Sequence, residues 1–321
     1  MRAVRAITLD GPRSLELADI EPPVAGPDGV LIDVEATGVA WPDLLQTRGR
    51  YQARPALPYV PGFEAAGRVR SAPAGSGLAV GQRVAAFTGG GAWQERIAVS
   101  PADVFAIPEA MSAAAAAGTF LNYLTVHFAL RRRTPLVPGE DVVVHGATGG
   151  IGEASLVLAR AWGARTIAVV STETKAAAAR RTGAHDVVHA DGFLPAVKEL
   201  TGGKGADVVI DPVGGDRFTD SLRSLAPEGR ILVIGFTGGE IPTVKVNRLL
   251  LGNLSVVGVA WAEFVARHPG YMRRQWEDLL PALASGEVVV PEAATYPLDR
   301  AADVLEAMDD RRLIGKAVLV P

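Results

Sequence analysis

At 321 residues the chain is long enough for about two domains of ordinary size, and its 48% hydrophobic and 21% charged residues lie in the range of folded globular proteins. Thirty-five acidic against 32 basic residues leave a formal charge of −3, which offers nucleic acid and anionic lipid surfaces no long-range attraction. The absence of cysteine removes disulfides, iron–sulfur clusters, thiolate nucleophiles and sulfur-bound zinc.

The longest apolar stretch, from Leu249 to Trp261, is broken by Asn253 and Ser255 and falls short of the ~18 residues that cross a bilayer. Met1 to Arg5 runs straight into alternating residues with no apolar signal region, so the expected location is cytoplasmic.

In chain order, residues 1 to about 110 are dense in glycine and proline, with short alternating runs such as Val30 to Val34 and Gly67 to Arg70, an all-β pattern. Ser112 is a good N-cap, and Ala113 to Ala117 followed by Phe120, Leu124, Phe128 and Leu130 predicts helix. That helix closes on Arg131, Arg132 and Arg133, read as a solvated end matched to the helix dipole rather than as an anion patch. From Asp141 short strands alternate with helices. Strands are predicted at 142–144, 166–170, 186–188, 207–210, 230–234 and 254–259, and helices at 151–162, 174–181, 193–200 and 218–225. Six such strands imply a doubly wound parallel sheet. Residues 270–321 carry two helices, near 275–284 and 301–308, and a last strand at 317–320. They make a poor core alone and are expected to fold back on the N-terminal β domain.

After the first strand of that sheet stands Gly146-Ala147-Thr148-Gly149-Gly150-Ile151-Gly152, opening a helix. Glycines there let the chain turn tightly, bring bare N–H groups to a pyrophosphate and pack the helix on the strand, so Ala147, Gly149, Gly150, Ile151 and Gly152 are candidate cofactor contacts. An NAD enzyme places an acid at the end of the second strand; this chain has Ser171, followed by Lys175, Arg180 and Arg181, which favours NADPH, although Glu173 stands among them. The loops Asp211 to Gly215 and Gly235 to Gly239 lie at strand carboxyl ends, making Val213, Gly214, Gly235 and Phe236 candidates for the nicotinamide half. The five histidines show no ligand spacing and are read as structural; no metal is expected.

Taken with Gly49-Arg50-Tyr51, Leu57 to Gly67, Val80 to Val84, Leu225 to Arg230 and Gly315 to Leu319, these motifs resemble the zinc-independent medium-chain dehydrogenases/reductases, the NADPH:quinone oxidoreductase (zeta-crystallin-like) family. The resemblance runs the whole length. It implies an α/β chain with a GroES-like β domain from 1–118 and 264–321, a Rossmann domain over 119–263, NADPH as cofactor, a homodimer, and hydride transfer to quinones or related α,β-unsaturated carbonyls. Phe63 replaces the histidine of the zinc-binding Gly-His-Glu of relatives, at Gly62-Phe63-Glu64. Ala40 stands where an asparagine often precedes the active-site acid, and His189-Ala190 where a tyrosine often holds the 2′-phosphate, which shifts weight to Lys175 and Arg311.

The resemblance further implies catalytic roles for Tyr51 as donor to the acceptor oxygen, for Asp43 in orienting it or the nicotinamide, and for Thr125 facing the nicotinamide. Trp41, Phe63 and Asn247 become candidate pocket residues. Enoyl-thioester reduction uses the same fold and cofactor. A nucleotide-binding protein with little turnover is a third reading, favoured by Ala40. The short-chain reductase class is excluded, since none of the five tyrosines is followed four residues later by lysine.

Overall fold

The computed structural model describes all residues, 1–321. The chain divides into two compact units, the first made of Met1–Leu121, Gly270–Gly286 and Val290–Pro321, the second of Asn122–Pro269 with Glu287–Val289.

The first unit opens with β1 (Arg2–Ala6) and β2 (Leu15–Asp19), an antiparallel pair. Its main strands follow as β3 (Val30–Val39), β4 (Glu64–Ser71), β5 (Arg83–Phe87), β6 (Arg96–Val99) and β7 (Val104–Ala106). Val30, Ile32 and Val34 alternate inward on β3 and pack with Val69, Val84, Trp93 and Ile97. The register of β3 on β4 shifts between Val34 and Ala36, and there Gly67 lies so close to the Asp33 carbonyl that a Cβ would overlap its oxygen.

The all-β expectation for residues 1–110 fails at one place, α1 (Trp41–Thr47). Pro42 in the first turn and Asp43 three residues after the cap are helix-start signals, but seven residues leave too short a periodicity to read. Downstream, Ser112 caps α2 (Ala113–Ala117) as expected, its Oγ accepting from Ala115 N at 3.0 Å. The single helix expected through Leu130 is instead divided. Gly118 ends α2, where a Cβ would stand 2.8 Å from Lys316 Cγ, and α3 (Phe120–His127) then runs into a π-helical turn at Phe128–Arg133.

The second unit is built from β8 (Asp141–Val144), α4 (Gly150–Ala161), β9 (Arg165–Val170), α5 (Glu173–Thr182), β10 (Asp186–His189), α6 (Phe193–Leu200), β11 (Ala206–Asp211), α7 (Phe218–Ser224), β12 (Leu225–Val233), α8 (Asn247–Gly252), β13 (Ser255–Gly258) and α9 (Trp261–Arg267). The strand order is β10-β9-β8-β11-β12-β13, every neighbouring pair parallel, the doubly wound sheet that the alternation predicted. Its inner strands are apolar on both faces, with Val142, Val143, Val144, Val208, Val209 and Ile210 fully buried. The arginine run ends as predicted in solvent but is also anchored: the Arg131 guanidinium lies 4.1 Å from the centre of the Trp162 ring, and Arg133 Nε donates to Gly258 O at 2.9 Å.

The C-terminal segment adds α10 (Tyr271–Ser285), β14 (Ala294–Pro297), α11 (Ala301–Asp309) and β15 (Ala317–Val320). β15 pairs antiparallel with β3, completing a seven-stranded sheet of order β14-β15-β3-β4-β5-β7 in which β6 also pairs with β3. Trp276 of α10 stacks on Phe120 at 4.7 Å and donates its indole N–H to Ala106 O at 3.0 Å. No helix is long and apolar enough to cross a membrane.

Candidate active site

In the second unit the carboxyl ends of β8, β9, β11 and β12 carry the predicted cofactor residues. Parallel pairing brings these ends to one edge of the sheet. Gly146 turns the chain at φ 56°, its carbonyl accepts from Gly149 N at 2.9 Å, and α4 starts at Gly150. A Cβ on Gly152 would overlap Gly146 O, and one on Gly150 would strike the Asn122 amide, so both glycines are required by the protein's own packing. Gly149 differs. It is exposed, its backbone is extended at φ −92°, and a Cβ there would meet nothing closer than Gly146 O at 3.5 Å. The open space beside Gly149, facing the first unpaired amides of a twelve-residue helix, fits an anionic pyrophosphate.

The loop after β11 lies against the glycine turn, where a Cβ on Gly146 would stand 3.2 Å from Val213 Cγ2, and the loop after β12 joins it. Asp211 Oδ1 accepts from Val213 N at 2.8 Å and Gly214 N at 2.9 Å, fixing the loop that follows β11. Gly214 occupies φ 66°, ψ −146°, a region only glycine enters readily, and a Cβ there would stand 2.9 Å from Phe236 Cδ1. Thr237 N donates to Pro212 O at 3.1 Å and Gly238 N to Val213 O at 2.8 Å, joining the loop of Gly235 and Phe236 to that of Val213 and Gly214. Beneath them His145 is buried, its Nε2 2.9 Å from Ser221 Oγ; burial pushes its pKa down to about 4, against the pull of Asp211. Since Ser221 Oγ donates to Arg217 O, His145 serves as donor to the serine and stays neutral. Asp211, Asn122 and the His145–Ser221 pair were not singled out from sequence; only Asp211, before Pro-Val-Gly-Gly, carried a turn signal that pointed to its role.

At the end of β9, Ser171 is exposed and Thr172 caps α5, its Oγ1 accepting from Lys175 N at 3.3 Å. Arg180, expected to lie with the cations, is instead engaged by Glu173, Nη1 to Oε1 at 3.0 Å. Asn247 begins α8 and is exposed. Thr125 lies on α3, 7% exposed.

The remaining candidates belong to the first unit. Tyr51 and Phe63 meet edge to face, ring centres 5.8 Å apart, and Trp41 at the start of α1 is partly buried. Asp43 is fully buried. Its Oδ2 accepts from Ala40 N at 2.8 Å and its Oδ1 from Gly62 N at 3.0 Å, so both oxygens fasten the α1 turn to the loop bearing Phe63. Burial raises its pKa to about 7, against the opposing pull of the two amides and Lys316. Arg311 lies in the turn after α11 at φ 59°, near Asp309, which pairs with Arg48. It is therefore not part of the unit that holds Ser171 and Lys175.

Residues 150–285 match the zinc-binding dehydrogenase family and residues 26–109 the alcohol dehydrogenase GroES-like domain. The chain is 34% identical to quinone oxidoreductase-like protein 2 of Rattus norvegicus over 98% of its own length and 91% of that protein. In three dimensions it resembles a probable oxidoreductase from Mycobacterium abscessus, 43% identical with TM-score 0.92 over 100% of this chain and 99% of the other. It also resembles the Escherichia coli quinone oxidoreductase complexed with NADPH, 29% identical with TM-score 0.91 over the whole of both chains. With a glycine cradle on a doubly wound sheet and phenylalanine at position 63, the chain belongs to the zinc-independent medium-chain dehydrogenases/reductases, among the quinone oxidoreductase-like proteins.

Proposed function

We propose that this oxidoreductase reduces quinones, or closely related α,β-unsaturated carbonyl compounds, with NADPH as the hydride donor. The observation that carries the cofactor half is the unfilled space at Gly149, a glycine that nothing in the protein requires. When bound, NADPH supplies two electrons and one hydrogen as hydride from its dihydronicotinamide, and a proton from solvent completes reduction of the acceptor to the hydroquinone.

The chain's own residues then have three tasks. The amides at the start of α4 and the glycine turn bind the pyrophosphate, with Lys175 and Ser171 toward the adenosine end. Val213, Gly214, Gly235 and Phe236, fastened to one another through Asp211 and the loop hydrogen bonds, and Thr125 orient the nicotinamide. In the first unit Tyr51 donates from its hydroxyl to the acceptor oxygen as charge develops, with Trp41 and Phe63 as an apolar wall for a flat ring. In the second unit Asn247 is a candidate polar contact to the acceptor. Asp43 acts through the backbone, holding Phe63 and the α1 turn in place. A quinone takes hydride readily, so a hydrogen-bond donor suffices.

The test is the loss of dihydronicotinamide absorbance with NADPH and a panel of ortho- and para-quinones and an enoyl thioester. Quinone-dependent oxidation that chelators do not inhibit, reduced about tenfold or more by Tyr51→Phe, is the expected result. Turnover with the enoyl thioester alone would reassign the acceptor. No turnover alongside tight NADPH binding would replace the catalytic reading by a binding one.

We further infer that the protein pairs as a homodimer through β13. This strand is one of the two edges of the parallel sheet, with Val256 39% exposed and Leu250 and Leu251 of α8 exposed just before it. Size exclusion with light scattering should give twice the chain mass, and a monomer at micromolar concentration would remove the inference.

A further inference from the structure

The end of β9 holds a cluster of charges whose arrangement goes beyond a simple phosphate site. Dinucleotide folds hold the adenosine ribose there, using an acid about 20 residues beyond the glycine turn for a 2′-hydroxyl or a cation for a 2′-phosphate. This chain has both. Glu173 lies 21 residues after Gly152 at the start of α5, and Lys175, Arg180 and Arg181 follow on the same helix. The carboxylate is not left to itself. Its Oε1 receives Arg180 Nη1 at 3.0 Å, and its Oε2 lies 3.5 Å from Nε2 of His189. His189 ends β10 and sits directly opposite Val170, the last residue of β9, so the pair bridges two adjacent strand ends at the edge where the nucleotide binds. The Arg180 hydrogen bond, and to a smaller degree the charges of Arg180 and His189, hold the Glu173 carboxyl below its ordinary range.

We propose that Glu173 sets how strongly this chain prefers NADPH to NADH, with Arg180 and His189 holding its carboxylate so that a 2′-phosphate is admitted while an acceptor for a 2′-hydroxyl is kept. The proposal rests on the NADPH reading above and assigns Arg180 an indirect part. It neutralises and positions Glu173 rather than gripping the phosphate. A lone carboxylate at this place would repel a phosphate that carries nearly two negative charges at neutral pH. Restrained by the Arg180 guanidinium and the His189 ring, it repels less, and the chain can use both coenzymes.

Calorimetric binding of NADPH and NADH to the whole protein tests this without turnover, with 2′,5′-ADP as a competitor that lacks the nicotinamide. Glu173→Gln should tighten NADPH and 2′,5′-ADP about fivefold and leave NADH unchanged or weaker. Arg180→Gln should weaken NADPH by a similar factor while sparing NADH, and should have no effect in the Glu173→Gln background. An unchanged NADPH-to-NADH ratio in Glu173→Gln overturns the proposal. So does an equal loss from Arg180→Gln in both backgrounds, which would make Arg180 a direct phosphate ligand. Failure of the wild-type protein to bind either coenzyme would instead overturn the cofactor reading, and the present proposal with it. Glu173, Arg180 and His189 are all exposed, so these variants retain the fold, and circular dichroism checks that they do.

Discussion

Lys316 Nζ lies 2.6 Å from Glu64 Oε1, with the two side chains 6% and 1% exposed. The other carboxylate oxygen of Glu64 accepts from Leu121 N at 2.9 Å, so one buried acid ties β4, the segment before β15 and the start of α3 together. Gly118 leaves room for the lysine stem to pass. In zinc-dependent relatives this acid follows a histidine ligand; here it follows Phe63, and its work is architectural.

Removing one partner of such a pair leaves an uncompensated buried charge. Lys316→Met should destabilise the first unit by about 3–5 kcal/mol in urea unfolding, whereas Glu64→Gln combined with Lys316→Met should recover most of that loss. Equal losses in the single and double variants would mean that packing of the lysine stem, rather than charge, is what matters.

The glycine turn separates two kinds of glycine. Gly152→Ala should unfold or strongly destabilise the second unit, because a Cβ there meets the Gly146 carbonyl and the Ala147 backbone. Gly149→Ala should fold with a normal melting temperature, its backbone being accessible to alanine, yet weaken NADPH about tenfold or more by occupying the space beside the helix amides. Thermal melts and calorimetric titration of both variants read out the difference.

Lys175→Ala, three residues beyond the Thr172 cap, should weaken NADPH by about tenfold and NADH by much less, since only the former presents a 2′-phosphate to an ammonium group. Equal losses for the two coenzymes, measured by the same titration, would take Lys175 out of the phosphate site.

The parallel sheet was legible because most of its strands are short β-branched runs between a turn and a helix; α6 and β15 begin and end at the predicted residues, whereas β12, predicted from 230, already starts at Leu225. The elements that escaped are those fixed by tertiary contacts. α1 is seven residues long and held by Asp43, whose second partner, Gly62, is nineteen residues away. β14 is four residues with little alternation and is defined by pairing with β15. The break at Gly118 follows from the room that Lys316 needs. At the site, the glycine turn was readable since backbone geometry demands glycine. The use of Asp43 as a loop fastener was not, because an acid in the first turn of a short helix reads the same whether it faces a ligand or a main-chain amide.

Asp43 and His145 give the two units opposite responses to pH. For Asp43 the folded value, about 7, lies above the ordinary 3.8, with burial as the main cause. Between those values the folded chain keeps a proton that the unfolded chain has lost, so its contribution is complete below about pH 4 and disappears as pH rises through 7. For His145 the folded value, about 4, lies below the ordinary 6.5, again through burial. Its contribution is present above about pH 6.5 and is lost as pH falls through 4, where the unfolded chain takes up a proton that the folded one refuses. At 1.36 kcal/mol per unit the two spans are on the order of 4 and 3 kcal/mol, opposite in sign and overlapping in range. Whole-molecule melts will blend them. Amide hydrogen exchange followed unit by unit from pH 4 to 8, corrected for intrinsic rates, should separate them. Asp43→Asn should abolish the falling slope in residues 1–121 and leave the second unit unchanged, while His145→Gln should abolish the rising slope in residues 122–269. A falling slope that persists in Asp43→Asn would assign it to another group, and a wild-type first unit with no falling slope would show that the Asp43 carboxyl stays ionised in the fold, held by its two amide donors and Lys316 against the cost of burial.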